Sequence, residues 1–261
     1  MTNETILIVT LFAEYSALIF FHRLFGKSGL YAWTCIATIA ANIEVLILVR
    51  AFGMQMTLGN ILFASTFLVT DIVSELYGKK DSKKAVKIGI ATSMVFVAIS
   101  SSWLLYHPAS ADFASSSIRT IFSNTPRLML ASLTVYAIVQ FIDVWLYHAW
   151  WSLTEKLFGD RKRFLWVRNN GSTLISQFLN SLLFNFLAFW KVYDNQIIWN
   201  IAISSYVIFI VTSIADTPFI YICRHMHGKK NALPVREDAP GKSNATTTRS
   251  EERRVGKECR S

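Results

Sequence analysis

The chain has 261 residues, 52% of them hydrophobic and 14% aromatic, with a formal net charge of +9. Its mean hydropathy is positive and long apolar blocks recur along most of it, which excludes a soluble domain with alternating faces and predicts an all-α, polytopic membrane helix bundle. The basic excess gathers in alternate loops, so it encodes membrane topology and not a nucleic-acid surface.

Taken in chain order, the N-terminal MTNET lacks a basic n-region, and no small-residue cleavage site follows the first apolar run, so no cleavable signal peptide is expected. About seven apolar spans follow, at 5–22, 30–50, 56–77, 86–106, 127–149, 172–190 and 197–222. At about 1.5 Å per residue most reach the roughly 30 Å of the hydrocarbon core. The first is the shortest and carries Glu14, so six spans plus an interfacial helix is the alternative. Arg23 and Lys27, then the lysines from Lys79 to Lys87, then the 151–170 loop with Arg168, then Arg224, Lys229 and Lys230 mark one side. The intervening loops hold about one basic residue each (Arg50, Arg119, Lys191), which predicts an outside N-terminus and a cytoplasmic C-terminus.

The stretch 63–84, FASTFLVTDIVSELYGKKDSKK, sets Asp71 and Glu75 four residues apart inside apolar sequence, on one helical face. Carboxylates at membrane depth are costly and normally face a bundle interior or a wet cavity. Farther on, the 107–126 loop should carry a short surface helix, with Asn124-Thr125-Pro126 capping span five. Span five holds Gln140-Phe-Ile-Asp143 and span six holds Gln177-Phe-Leu-Asn180, the same tetrad on helices of opposite direction. Such amide and carboxylate groups suit the edge of a planar, guanine-like heterocycle; the plainer reading is hydrogen-bond glue between helices. Arg168-Asn169-Asn170-Gly171-Ser172-Thr173 reads as capping chemistry at the start of span six. In span seven, Asp216 precedes the helix-kinking Pro218. On this topology Asp71, Glu75, Asp143, Gln177, Asn180 and Asp216 all fall in the inner half; Glu14 and Glu44 have no matching partners.

Residues 1–228 are expected to form the transmembrane domain and 229–248 a disordered cytoplasmic tail. Residues 249–261, RSEERRVGKECRS, read as adapter- or vector-derived sequence. Cys35, Cys223 and Cys259 show no metal spacing, and no phosphate loop or HExxH, GxSxG or EF-hand pattern occurs, so no cofactor, metal or catalytic site is expected.

Three blocks in order, TFLVTDIVSELYGKK, NTPRLMLASLTVYAIVQFIDV and RNNGSTLISQFLNSLLF, resemble the queuosine precursor transporter family, also called vitamin uptake transporters, over about residues 30–222. The resemblance implies a non-enzymatic secondary transporter importing 7-deazaguanines across the bacterial inner membrane: 7-cyano-7-deazaguanine, its aminomethyl form, or queuine. It carries the family's acidic pair onto Asp71 and Glu75, its arginine after proline onto Arg127, and its Gln/Asp pair onto Gln140 and Asp143. Its Ser-Thr…Gln falls on Ser172, Thr173 and Gln177. Asn180 stands where the family usually has Asp; it keeps an acceptor, loses a charge and gains a donor, which leaves the preferred precursor open. In this reading Gln140, Asp143, Gln177, Asn180, Ser172 and Thr173 bind substrate, while Asp71, Glu75, Asp216 and Arg127 shape the site or couple protons. The partners are the deazapurine and the lipid bilayer, with no direct nucleic acid; a homo-oligomer is compatible. The alternatives are a carrier of another vitamin-like or purine solute, or a substrate-binding subunit that needs a separate ATPase.

Overall fold

The computed structural model describes residues 2–123, 126–159, 164–191 and 193–232, without the side chains of 123–129 and 229–232. The expected tail beyond residue 232, the adapter-derived segment, the Asn124-Thr125 cap and the Arg127 side chain therefore lie outside the described residues.

Helix α1 (Asn3–Phe25) starts on the Thr2 side chain, which accepts from the Thr5 N–H, and ends at Gly26, whose φ of 58° lets the chain reverse in one residue. α2 (Lys27–Glu44) then runs back along it. At Gly29 a Cβ would collide with the Phe21 carbonyl oxygen, so only glycine admits this close a hairpin. Gly29→Ala must splay α1 from α2, at about 1–3 kcal/mol for overpacking. A lower thermal midpoint of the detergent-solubilised protein is expected; an unchanged midpoint would show that the hairpin relaxes freely.

The predicted span 30–50 stops early, at Glu44. Residues 48–57 instead form an antiparallel hairpin, β1 (Leu48–Ala51) with β2 (Met54–Thr57), Leu48 opposite Thr57. Its turn has positive φ at Phe52 (53°) and Gly53 (74°), the combination a two-residue hairpin turn favours. The hairpin sits on the start of α1: Asn3 Nδ2 donates to the Arg50 carbonyl (2.9 Å) and the Phe52 N–H donates to Glu4 Oε1 (3.0 Å).

α3 (Gly59–Tyr77) returns, turns at Gly78 (φ 87°), and gives way to α4 (Lys79–Trp103). A surface helix, α5 (Ser115–Ser123), appears where the loop pattern predicts one. The Asp112 carboxylate accepts from the backbone of Ala114 and Ser115 at its start, which holds that carboxyl below its usual range. α6 (Pro126–Phe158) opens on Pro126 as expected, followed by α7 (Leu165–Phe189) and α8 (Asn195–Ala232).

Among the described residues, six helices are long and apolar enough to cross a membrane: α1, α3, α4, α6, α7 and α8. α1, the span least secure by sequence, is a full 23 residues; the short one is α2, with 18. α2 nevertheless runs the height of the bundle. Lys27 at its start pairs with Asp81 at the start of α4 (3.2 Å), and its last turn meets Gly59, the first residue of α3. Neighbouring helices alternate in direction, so one end collects Arg23, Lys27 and the lysines of α4; we call it the basic end and its opposite the outer end.

The amphipathicity is inverted, as a lipid solvent demands. In α7 the buried face is polar (Asn169, Thr173, Ser176, Gln177, Asn180), while Trp166, Ile175, Phe178 and Leu187 are exposed. α3 is buried on nearly every side and forms the centre.

Candidate functional site

The α7 polar face builds the site, because residues spaced by three or four lie above one another on a helix. Three successive rungs each hold a carboxylate from a different helix. Asn169 Nδ2 donates to Asp216 Oδ1 of α8 (2.6 Å), Thr173 Oγ1 to Asp71 Oδ2 of α3 (3.1 Å), and Ser176 Oγ to Asp143 Oδ1 of α6 (2.7 Å). All three carboxylates are buried, and no cation stands within ion-pair distance of any of them among the described residues. Asp71 interacts electrostatically with both Asp143 and Asp216. Asp71 Oδ1, Asp143 Oδ2 and both amide atoms of Gln177 are buried without a hydrogen-bond partner.

Gln140 differs from Gln177. Its Nε2 donates to Thr66 Oγ1 (2.8 Å) and its Oε1 accepts from Thr70 (3.3 Å), so α3 engages both ends of the amide. Asn180 differs from Asp143 as well. α6 runs toward the basic end and α7 away from it, so equal steps from Gln140 and Gln177 lead to opposite depths. Asn180 therefore leaves the expected inner-half group and lines a cleft on the outer side with Thr57, Asn60, Phe63, Ser132 and Phe209. The cleft is small, with a volume of about 30 Å³.

Toward the basic end, Glu75 accepts from Arg168 through both oxygens (3.0 and 2.8 Å) and from the Tyr147 hydroxyl (2.9 Å), with Arg224 at 3.5 Å. Arg168 is fully buried and its guanidinium lies 4.6 Å from the centre of the Trp151 ring. Glu75 thus belongs to a locked ion pair, one turn from Asp71.

The expected cap at 168–173 is corrected: α7 begins at Leu165, and these residues lie inside it. Ser172 Oγ donates to the Arg168 carbonyl (2.8 Å), a local bond within the helix, whereas Thr173 faces Asp71. The earlier start is possible because Arg168, counted as a loop cation, is neutralised by Glu75 and can be buried. Asn170 joins α7 to α8 beside the Pro218 position, donating to Thr217 Oγ1 (2.8 Å) and accepting from Ser213 (3.0 Å). Sequence reasoning passed over Arg168, Asn169, Ser176, Thr66 and Thr70 as site residues. The visible signal was the polar series 169, 173, 176, 177 and 180 in an otherwise apolar helix.

Residues 57–223 match the family described as "Putative vitamin uptake transporter". The chain is also 34% identical over 226 residues to a protein of Bacillus subtilis (strain 168) named "Probable queuosine precursor transporter", covering 87% of this chain and 96% of that one. No solved structure matches significantly.

Proposed function

This chain belongs to the vitamin uptake transporter family, and from that premise we propose that it is a secondary carrier importing queuosine precursors across the bacterial inner membrane. The cargo is a 7-deazaguanine: 7-cyano-7-deazaguanine, its aminomethyl form, or queuine. The observation that carries this reading is the set of buried, unpartnered groups on adjacent helices: Asp143 Oδ2, Asp71 Oδ1 and the Gln177 amide. A guanine-type edge presents a ring N–H and an exocyclic amine beside a carbonyl. A carboxylate accepts from the first two, and an amide N–H donates to the third.

Gln140 supports this edge from behind through Thr66 and Thr70, and Ser172 and Thr173 fix the α7 rungs. Asn180, with the aromatic rings of Phe63 and Phe209, offers a polar and stacking surface on the outer route. Small-molecule sites span about 300–1,000 Å³, so the outer cleft is closed to a base in this conformation, and the helices must part to admit one. Glu75 with Arg168 closes the basic end.

The test is precursor uptake in a bacterial strain unable to make or import queuosine precursors. The strain expresses this chain, is given each base separately at low concentration, and is scored by queuosine in tRNA. Restoration by one base establishes transport and selects the cargo. Failure with all of them, despite verified membrane insertion, overturns the reading. Uptake by the purified chain in liposomes without any ATPase separates a carrier from a subunit of a larger importer.

A further inference from the structure

The carboxylates around α7 hold more negative charge than the edge of a neutral base can use, and the fold treats one of them differently from the rest. Glu75 receives a cation, Arg168, through both of its oxygens (3.0 and 2.8 Å). One turn along α3, Asp71 is fully buried and receives a neutral donor, the Thr173 hydroxyl (3.1 Å), on Oδ2. Its Oδ1 is buried and unpartnered. Asp143 and Asp216 likewise receive the Ser176 hydroxyl (2.7 Å) and the Asn169 amide (2.6 Å). Burying a carboxylate is costly unless an opposite charge accompanies it. At Glu75 the protein supplies that charge; on the α7 rungs the partners are dipoles.

The hydrogen bonds also order the groups. Asn169, Thr173 and Ser176 are successive rungs of α7, so Asp71 holds the middle position between Asp216 and Asp143. Gln177 lies four residues beyond Thr173, one turn from the Asp71 rung on the same face. With Asp143 accepting from the ring N–H and exocyclic amine, and Gln177 donating to the carbonyl, a guanine-type edge is fully used, and Asp71 is left over. On a 7-deazaguanine the substituent at position 7 projects from the carbonyl side of the ring. Asp71, one turn from the amide assigned to the carbonyl, is the carboxylate placed to receive it.

We infer that Asp71 determines specificity by pairing with a positively charged aminomethyl group at position 7, so that the cargo is a cationic 7-deazaguanine and not the neutral cyano form. The inference rests on the transport reading above and narrows it. The aminomethyl form and queuine both carry the required amine. A protonated amine donates N–H bonds and brings a full charge, which makes its bond to a carboxylate about twice as strong as a neutral one. A cyano nitrogen is only an acceptor and would face the unpartnered Asp71 oxygen with repulsion. On the middle rung one cation also lies between Asp143 and Asp216, and offsets the repulsion among the three carboxylates. Glu75, already held by Arg168, takes no part.

The test is direct equilibrium binding of three labelled bases to the full chain in lipid nanodiscs at neutral pH. They are the aminomethyl form, the cyano form and 7-hydroxymethyl-7-deazaguanine, which keeps the size and a donor of the aminomethyl group without its charge. Wild type should bind the aminomethyl form at least about tenfold more tightly than either neutral base. Asp71→Asn, which keeps the size and one acceptor oxygen, should reduce that preference at least about tenfold. A purely structural role for Asp71 would weaken all three bases alike and leave the preference in place. Equal or tighter wild-type binding of a neutral base, or a preference that Asp71→Asn retains, overturns the inference while the transport reading stands. If Asp71→Asn fails to fold, the wild-type order of the three bases decides. Wild type that binds none of them overturns the transport reading, and this inference with it.

Discussion

Asp143→Ala should abolish precursor uptake while leaving the amount of protein in the membrane unchanged. Asp143 is fully buried, and one of its oxygens accepts from Ser176 while the other has no partner. A ligand N–H donating to that oxygen makes a charge-assisted bond, worth about 1.5–3 kcal/mol. Its loss weakens binding by about 10- to 100-fold before any effect on the transport cycle. The two glutamines should then separate. Gln177→Ala removes an amide with no protein partner and should act on affinity. Gln140→Ala removes one bonded to Thr66 and Thr70, and should act first on stability. Equilibrium binding of labelled base to the purified variants, beside their thermal midpoints, checks both statements. Normal uptake by Asp143→Ala at equal membrane level, or a larger affinity loss in Gln140→Ala than in Gln177→Ala, would sink the assignment.

Legibility followed the range of the interactions. Apolar runs and alternating basic loops are local signals, and they placed the helices and their directions. The break after Tyr77 and the surface helix before Pro126 were readable for the same reason. The hairpin at 48–57 was not, because its apolar residues continue those of α2, and a short apolar run does not distinguish strand from helix. Nor was the start of α7. Burying Arg168 depends on Glu75, 93 residues away, and charge alone placed it in a loop. The repeated Gln-Phe tetrad showed the opposite weakness. It is a true local likeness, but antiparallel helices send its second members to different depths, Asp143 to the carboxylate array and Asn180 to the outer cleft. Polar residues were thus easy to find and hard to pair.

The Glu75–Arg168 pair gives the largest expected loss of stability, and the loss should be asymmetric. Glu75→Ala leaves Arg168, fully buried beneath Trp151, without its carboxylate. Removing one partner of a buried ion pair costs about 3–5 kcal/mol. Arg168→Met leaves Glu75 with the Tyr147 hydroxyl and with the partly exposed Arg224 at 3.5 Å. That variant should lose clearly less. The double variant Glu75→Leu/Arg168→Met removes both charges together and should be less damaged than Glu75→Ala, since an apolar pair has nothing left to desolvate. Thermal midpoints of the four detergent-solubilised proteins decide the order. A double variant as unstable as the sum of the two singles would mean that the pair is not coupled, and Glu75 would then be free to serve as a proton carrier rather than as the closed basic end of the pathway.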